Sequence, residues 1–287
     1  PVARSNLHIT DTDGFENVTT YVAPEGSAND IDDPEAIDEE LTSRLTERET
    51  VAKGDRLVFE IEAGGLTGLV SWLDERLGSN GPGIDPQTLA TLLEFPDGLR
   101  IDGEQTNPGQ NEPAAALDID GATDGELYLV PTPANGSDGS PSYDRYYLVV
   151  DTRGMAAFDR EPMPGDELRF EFGYDSTGKV NWFGTVDHDA VDPNGAPPHF
   201  PYADADAGND TETRVVTIET PSVEYDRVDG QRRPILRHSE NGTLTGRTNL
   251  APGTDVTVQL LSGARARSAI KDVEIGADGT FNVTHDL

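Results

Sequence analysis

The chain has 287 residues, with 54 acidic against 21 Lys and Arg, a formal net charge of −33 and no cysteine. A surface this negative repels phosphate, which disfavours nucleic acid and anionic membranes as partners; none of the first is expected. The missing thiols exclude a disulfide framework, a thiol nucleophile and a zinc–thiolate site. The length allows one large domain or two, each with a real core.

Only Lys53, Lys179 and Lys271 are lysines, so nearly every cation is arginine. Self-repulsion opposes compaction at ordinary ionic strength, whereas molar salt shortens the Debye length to about 3 Å and removes most of that cost. The composition therefore points to a halophilic protein. An acidic disordered chain has similar composition, but the regular strand patterns below argue against it.

The start, PVARSNLHIT, lacks a charged segment followed by an apolar run, and no window approaches the roughly 20 apolar residues of a spanning helix. The expectation is a mature or trimmed ectodomain, tied to a membrane only through an anchor absent from this chain. In chain order, DPEAIDEELTSRL reads as a helix capped by Asp33, with Pro34 first and Ile37, Leu41 and Leu45 on one face. Leu57, Phe59 and Ile61 alternate with Val58, Glu60 and Glu62, the period of a strand with one wet face. Gly64-Gly65 ends it. Leu66, Leu69, Val70, Leu73 and Leu77 then recur at helical spacing, and Asp85, Pro86, Leu89, Leu92 and Leu93 repeat the capped pattern.

Further strands are predicted at Leu127 to Val130, Tyr146 to Val150, Leu168 to Phe172, Val180 to Phe183 and Val215 to Ile218. Residues 102–126 and 192–213 hold few apolar side chains and many breakers, and are expected to be mobile loops. Strands separated by long polar loops suit an antiparallel sandwich, with the helices packed over one end. A boundary falls at Thr220 to Ser222.

Beyond it, GTLTGRTNLAPGTDVTVQLLS and DVEIGADGTFNV carry a tight turn at Pro252-Gly253, a face of Val256, Val258 and Leu260, and a hairpin turn at Asp278-Gly279 leading to Phe281 and Val283. This region of about 45 residues resembles the bacterial and archaeal immunoglobulin-like surface module. The whole chain, including VAKGDRLVFEIEAGGLTG and RYYLVVDTRG, resembles haloarchaeal cell-surface proteins of the S-layer-associated type that carry such modules. The resemblance implies a mostly β fold. An immunoglobulin-like antiparallel β-sandwich over 1–220, with a helical insertion at about 66–97, would precede a smaller immunoglobulin-like β module over 221–287.

Five asparagines, Asn17, Asn135, Asn209, Asn241 and Asn282, open N-x-S/T sequons, against roughly two expected by chance from the Ser and Thr content. The excess points to export and N-glycans, although Asn135 and Asn241 also suit turns. Asp118, Asp120, Asp124 and Glu126 are spaced like the first half of a calcium loop, but a Glu at the twelfth position is missing. Asp11, Asp13 and Glu16, and Asp204, Asp206 and Asp210, make shorter versions that an acid-rich chain forms freely. Only DHD at 187–189 sets a histidine beside carboxylates, with no paired metal spacing, and no nucleophile elbow, P-loop or dinucleotide fingerprint occurs.

The function expected is that of an extracellular structural or adhesive surface protein contacting itself or its neighbours in a lattice, filament or adhesin, without catalysis. As a filament subunit, it could pair the segment from Phe281 onward with a neighbouring copy. The competing class is an extracellular hydrolase or solute-binding protein with a carboxylate-lined cleft in the first domain; two convergent acids in a deep cleft distinguish it from a filled core.

Overall fold

The computed structural model describes residues 15–25, 44–63, 84–93, 98–123, 125–135, 141–175, 210–235, 242–260 and 269–285. Its elements are β1 (Phe15–Ala23), β2 (Thr46–Glu47), β3 (Thr50–Ala52), β4 (Arg56–Ala63), α1 (Pro86–Leu93), β5 (Gly98–Gln105), β6 (Leu127–Asn135), β7 (Pro141–Asp151), β8 (Glu167–Asp175) and β9 (Asp210–Glu219). After these come β10 (Val223–Tyr225), β11 (Gly242–Thr248), β12 (Asp255–Leu260), β13 (Ala269–Glu274) and β14 (Thr280–His285).

Two sheets share the main core. The first has the order β2-β1-β4-β7-β6 and is antiparallel throughout; the second is β3-β9-β8-β5, with β3 parallel to β9 at its edge. Phe59 from the first sheet meets Phe170 and Phe172 from the second at ring-centroid distances of 4.6 and 4.9 Å, tilted by 52° and 56°. Tilted rings at this spacing set positive edges against negative faces, adding to the burial of three large apolar side chains. Around them Leu57, Ile61, Leu148, Leu168, Val216 and Ile218 fill the layer.

The first sheet carries an apolar cluster on each face, which corrects the expected wet face at 57–61 in part: Glu60 and Glu62 stay half-buried on the outer side. Val58 is completely buried and clusters with Tyr128, Val130, Tyr147 and Val149 on the side away from the second sheet. Leu45 packs on this cluster. It is the last apolar position of the capped pattern 33–45, of which residues 33–43 lie outside the described residues. The unbroken run Tyr146 to Val150 is the sequence signature of a strand with two dry faces.

The α1 helix forms as its cap requires. Asp85 Oδ1 accepts from the Thr88 N–H at 2.8 Å and Oδ2 from the Thr88 hydroxyl at 2.8 Å, while Leu89 and Leu92 are fully buried. The first apolar pattern of the insertion, Leu66 to Leu77, and the strand at Val180 to Phe183 lie outside the described residues.

Two strands had no clear apolar signal. β1 places Thr20 between Val18 and Val22 on its inner face, so the core-facing set reads as mixed. In β5 the inner positions are Leu99, Ile101, Gly103 and Gln105. Gly103 is needed because a Cβ there would lie 2.8 Å from the Phe170 ring. The segment beyond β5, read as a mobile loop, is instead tied down. Gln105 N–H donates to Ala115 O and Leu117 N–H to Gly103 O, both at 2.8 Å, and Asp118 N–H donates to Ala157 O at 2.9 Å. These bonds cover the outer edge of β5, which would otherwise offer an open ladder.

Arginine ties the two sheets together. On β9, Arg214 Nε donates to Val18 O at 2.5 Å and Nη2 to Asn17 Oδ1 at 3.2 Å, both on β1. A guanidinium fork reaches two acceptors at once, which an ammonium group does not do in a fixed plane.

The C-terminal strands form two smaller sheets, β10-β11-β14 and β12-β13, around Leu244, Ile275, Phe281 and Val283. Asp278-Gly279 is a turn, with Gly279 at φ 73°, but it carries the chain from β13 in one sheet to β14 in the other and closes no hairpin. β14 pairs instead with β11 in the facing layer, from which Phe281 and Val283 reach the core.

Candidate functional site

Strand geometry decides which sequons are presented. Side chains two apart on a strand share a face, so N-V-T in a strand puts Asn and Thr on one side and Val on the other. On β1, Val18 is buried while Asn17 is exposed, and Asn17 Nδ2 donates to Thr19 Oγ1 at 3.2 Å. On β14, Val283 is buried while Asn282 and Thr284 are exposed. Both sequons therefore set amide and hydroxyl on one outward face, with Asn17, Asn282 and Thr284 exposed and Thr19 half-buried. Asn135 ends β6, and Asn209 and Asn241 lie outside the described residues.

In the acidic loop, Asp118 Oδ1 accepts from Gly121 N–H at 2.9 Å. Glu126 Oε2 accepts from the Thr123 N–H at 2.8 Å and its hydroxyl at 2.6 Å. Each carboxylate thus closes a turn in its own loop, Asp120 is exposed, and Asp124 lies outside the described residues. Among the described residues no group of three or more His, Cys, Asp or Glu is placed to hold a metal ion. Of the shorter acid clusters, Glu16 is in β1 and Asp210 starts β9, and the rest lie outside the described residues.

Sequence reasoning missed a buried polar knot at the start of β4 and the end of β7. Arg56, 1% exposed, donates from Nη1 to Gly125 O at 2.5 Å and lies 3.5 Å from Asp151 Oδ2. Asp151 also receives the Arg153 N–H at 2.9 Å and its Nη2 at 2.7 Å, and Arg153 pairs further with Glu25. Burial pushes the Asp151 carboxyl above its ordinary range, opposed by the Arg153 N–H and the Arg56 charge. Next to it, burial pushes Asp55 up to about 6, opposed by the Ala251 N–H and by Arg48. The available signal was an arginine opening an apolar strand and the Asp-Thr-Arg that ends another.

These are the only buried carboxylates among the described residues. Both are held by donors, and neither lines the groove of about 810 Å³ between the first core and the C-terminal sheets. That groove presents Glu25, Arg44, Asp255 and Glu274, a mixed-charge rim with no pair of buried acids. Among the described residues no helix is long and apolar enough to cross a membrane.

No family model matches the chain. It is 24% identical over 285 residues to Cell surface glycoprotein 1 of Haloarcula hispanica, covering 95% of this chain and 27% of that protein. The chain lies outside the cell, at its surface. The Cell surface glycoprotein of Haloferax gibbonsii is 24% identical over 278 residues, and Cell surface glycoprotein 2 of Haloarcula hispanica 23% over 284, each with the same shares covered. The surface chain spans about a quarter of the length of these curated relatives.

Proposed function

We propose that this chain is a structural part of a haloarchaeal cell surface, built as two immunoglobulin-like β domains in tandem, about 1–220 and 221–287. It holds a fixed shape, carries N-glycans, and makes adhesive contacts with copies of itself or with neighbouring surface proteins. The observation that carries the reading is similarity to named cell-surface glycoproteins over 95% of the chain. The packed core between the main sheets supports a mechanical role over a catalytic one, since its centre is filled by aromatic rings.

Acids on the outer faces, such as Asp102, Glu104 and Asp120, keep the surface hydrated in brine. Exposed Val223, Val228, Ile235 and Ile270 are the apolar contacts that the C-terminal sheets offer. Asn17 and Asn282 are the first glycan sites in this reading, with Asn135, Asn209 and Asn241 as further ones. Calcium bridging Asp118, Asp120, Asp124 and Glu126 is a second element, using the carboxylate oxygens not engaged in turns; a melting midpoint unmoved by calcium in constant molar salt removes it.

The deciding experiment expresses the chain in a haloarchaeal host, then measures intact mass and solution size in 3 M and 0.1 M salt. Hexose-bearing peptides containing Asn17 and Asn282, and concentration-dependent assembly in molar salt, are expected. An unglycosylated strict monomer at every concentration refutes the proposal.

A further inference from the structure

Among the described residues, the turn between β11 and β12 is the part of the C-terminal sheets that enters the main core. Ala251 is fully buried and belongs to the main apolar cluster, with Val22 and Leu57. Its N–H donates to Asp55 Oδ2 at 2.7 Å, and Asp55 is 2% exposed. Arg48 Nη1 donates to Asn249 O at 2.9 Å. The Asn249 amide donates to Glu219 Oε2 at 3.1 Å and Thr220 O at 3.0 Å, and its Oδ1 accepts from Ser222 N–H at 2.7 Å. One turn is thus bonded to β9, to the linker after it, to the segment before β3 and to the residue before β4.

We propose that this turn is a proton-sensitive latch, which sets the orientation of the C-terminal sheets on the first core and grips more tightly when the Asp55 carboxyl is protonated than when it is ionised. The neutral acid keeps its carbonyl oxygen as an acceptor for Ala251 and carries no buried charge. The surrounding charges do not offset the ionised form. Arg48 is the cation whose field favours it, and it also donates to Asn249. Arg56 and Arg153 are held by Asp151, Lys53 by Glu161, and Glu219 by Asn249. The turn itself, residues 249–254, has no ionisable side chain.

Burial holds the Asp55 carboxyl at about 6 when the turn is seated, against 3.8 for an open carboxyl. The closed state therefore binds the proton more tightly, and closure is favoured as pH falls through 6 and weakened as it rises. From below pH 3.8 to above pH 6 the closed-to-open ratio changes by up to roughly 100-fold, with about tenfold of it above pH 5. At a cell surface this makes the angle between the two sets of sheets responsive to external pH, whatever the chain assembles with.

The absence of cysteine makes the test direct. Spin labels on Thr213→Cys and Gln259→Cys, both exposed positions on opposite sides of the junction, report the distance by pulsed electron resonance in molar salt. A narrow distribution at pH 5 and a broad one at pH 8 are expected. In Asp55→Asn, neutral but still an acceptor, the distribution stays narrow at both; in Asp55→Ala, which strands the Ala251 N–H, it is broad at both. A wild-type distribution identical at the two pH values, or an Asp55→Asn variant that still broadens at pH 8, overturns the latch.

Discussion

The two sets of sheets are built to different depths. In the first, a strand such as β7 contributes Tyr147 and Val149 to one apolar cluster and Tyr146, Leu148 and Val150 to the other, so buried side chains lie on both sides of the sheet. In the second, four buried residues form the centre, and Tyr225 meets Phe281 edge-on at a centroid distance of 6.0 Å and 86°. Small cores are marginal because too little surface is removed from water. The C-terminal sheets compensate by lodging Ala251 in the larger core, so the smaller unit borrows stability from the larger and not the reverse.

That asymmetry can be broken by substitution. Phe170→Ala removes the ring that meets both Phe59 and Gly103, and is expected to lower stability by about 4 kcal/mol. Because the junction is seated on this core, both sets of sheets are expected to unfold in one transition, seen by denaturant titration in molar salt.

Phe281→Ala is expected to cost about 3 kcal/mol, confined to the C-terminal sheets. Hydrogen exchange then shows β11 and β14 opening while β4 and β7 stay protected; simultaneous loss of all four refutes the dependence argued above.

The pH profile sharpens the comparison. The folded-state value of Asp55 lies above its unfolded one, so its contribution is complete below 3.8 and is lost as pH rises through about 6. That contribution is at most about 3 kcal/mol. Asp55→Asn is expected to flatten this part of the profile and leave the rest unchanged, as measured by melting midpoints from pH 4 to 8.

The smallest effect belongs to Arg214→Lys, which gives up the fork between β9 and β1. A loss of about 1 kcal/mol is expected, with no change in the C-terminal sheets.

Strands with a full apolar inner set were legible from spacing alone: Leu57 to Ile61 lies in β4, Leu168 to Phe172 in β8, and Val215 to Ile218 in β9. The cap at Asp85 was equally plain, because its partner Thr88 is three residues away. β1 and β5 were not legible, since Thr20 and Gly103 occupy inner positions for reasons held by distant residues. The strand-borne sequons at Asn17 and Asn282 were visible as motifs, but that they share an outward face with Thr19 and Thr284 required knowing which face Val18 and Val283 bury. Nothing local marks Asp55 as different from the other acids. Its partner is 196 residues away.

By itself the sequence determined the strongly acidic charge density, the β character and the placement of turns, because charge density and period-two alternation are local properties of composition and order. Tertiary structure alone decided that Val58 and Tyr147 are buried on the outer face of the first sheet, that the 278–279 turn changes sheets, and that one aspartate among many meets Ala251. Each of those outcomes depends on which surfaces meet across long stretches of chain, where desolvation and hydrogen bonding act between residues that no local pattern connects.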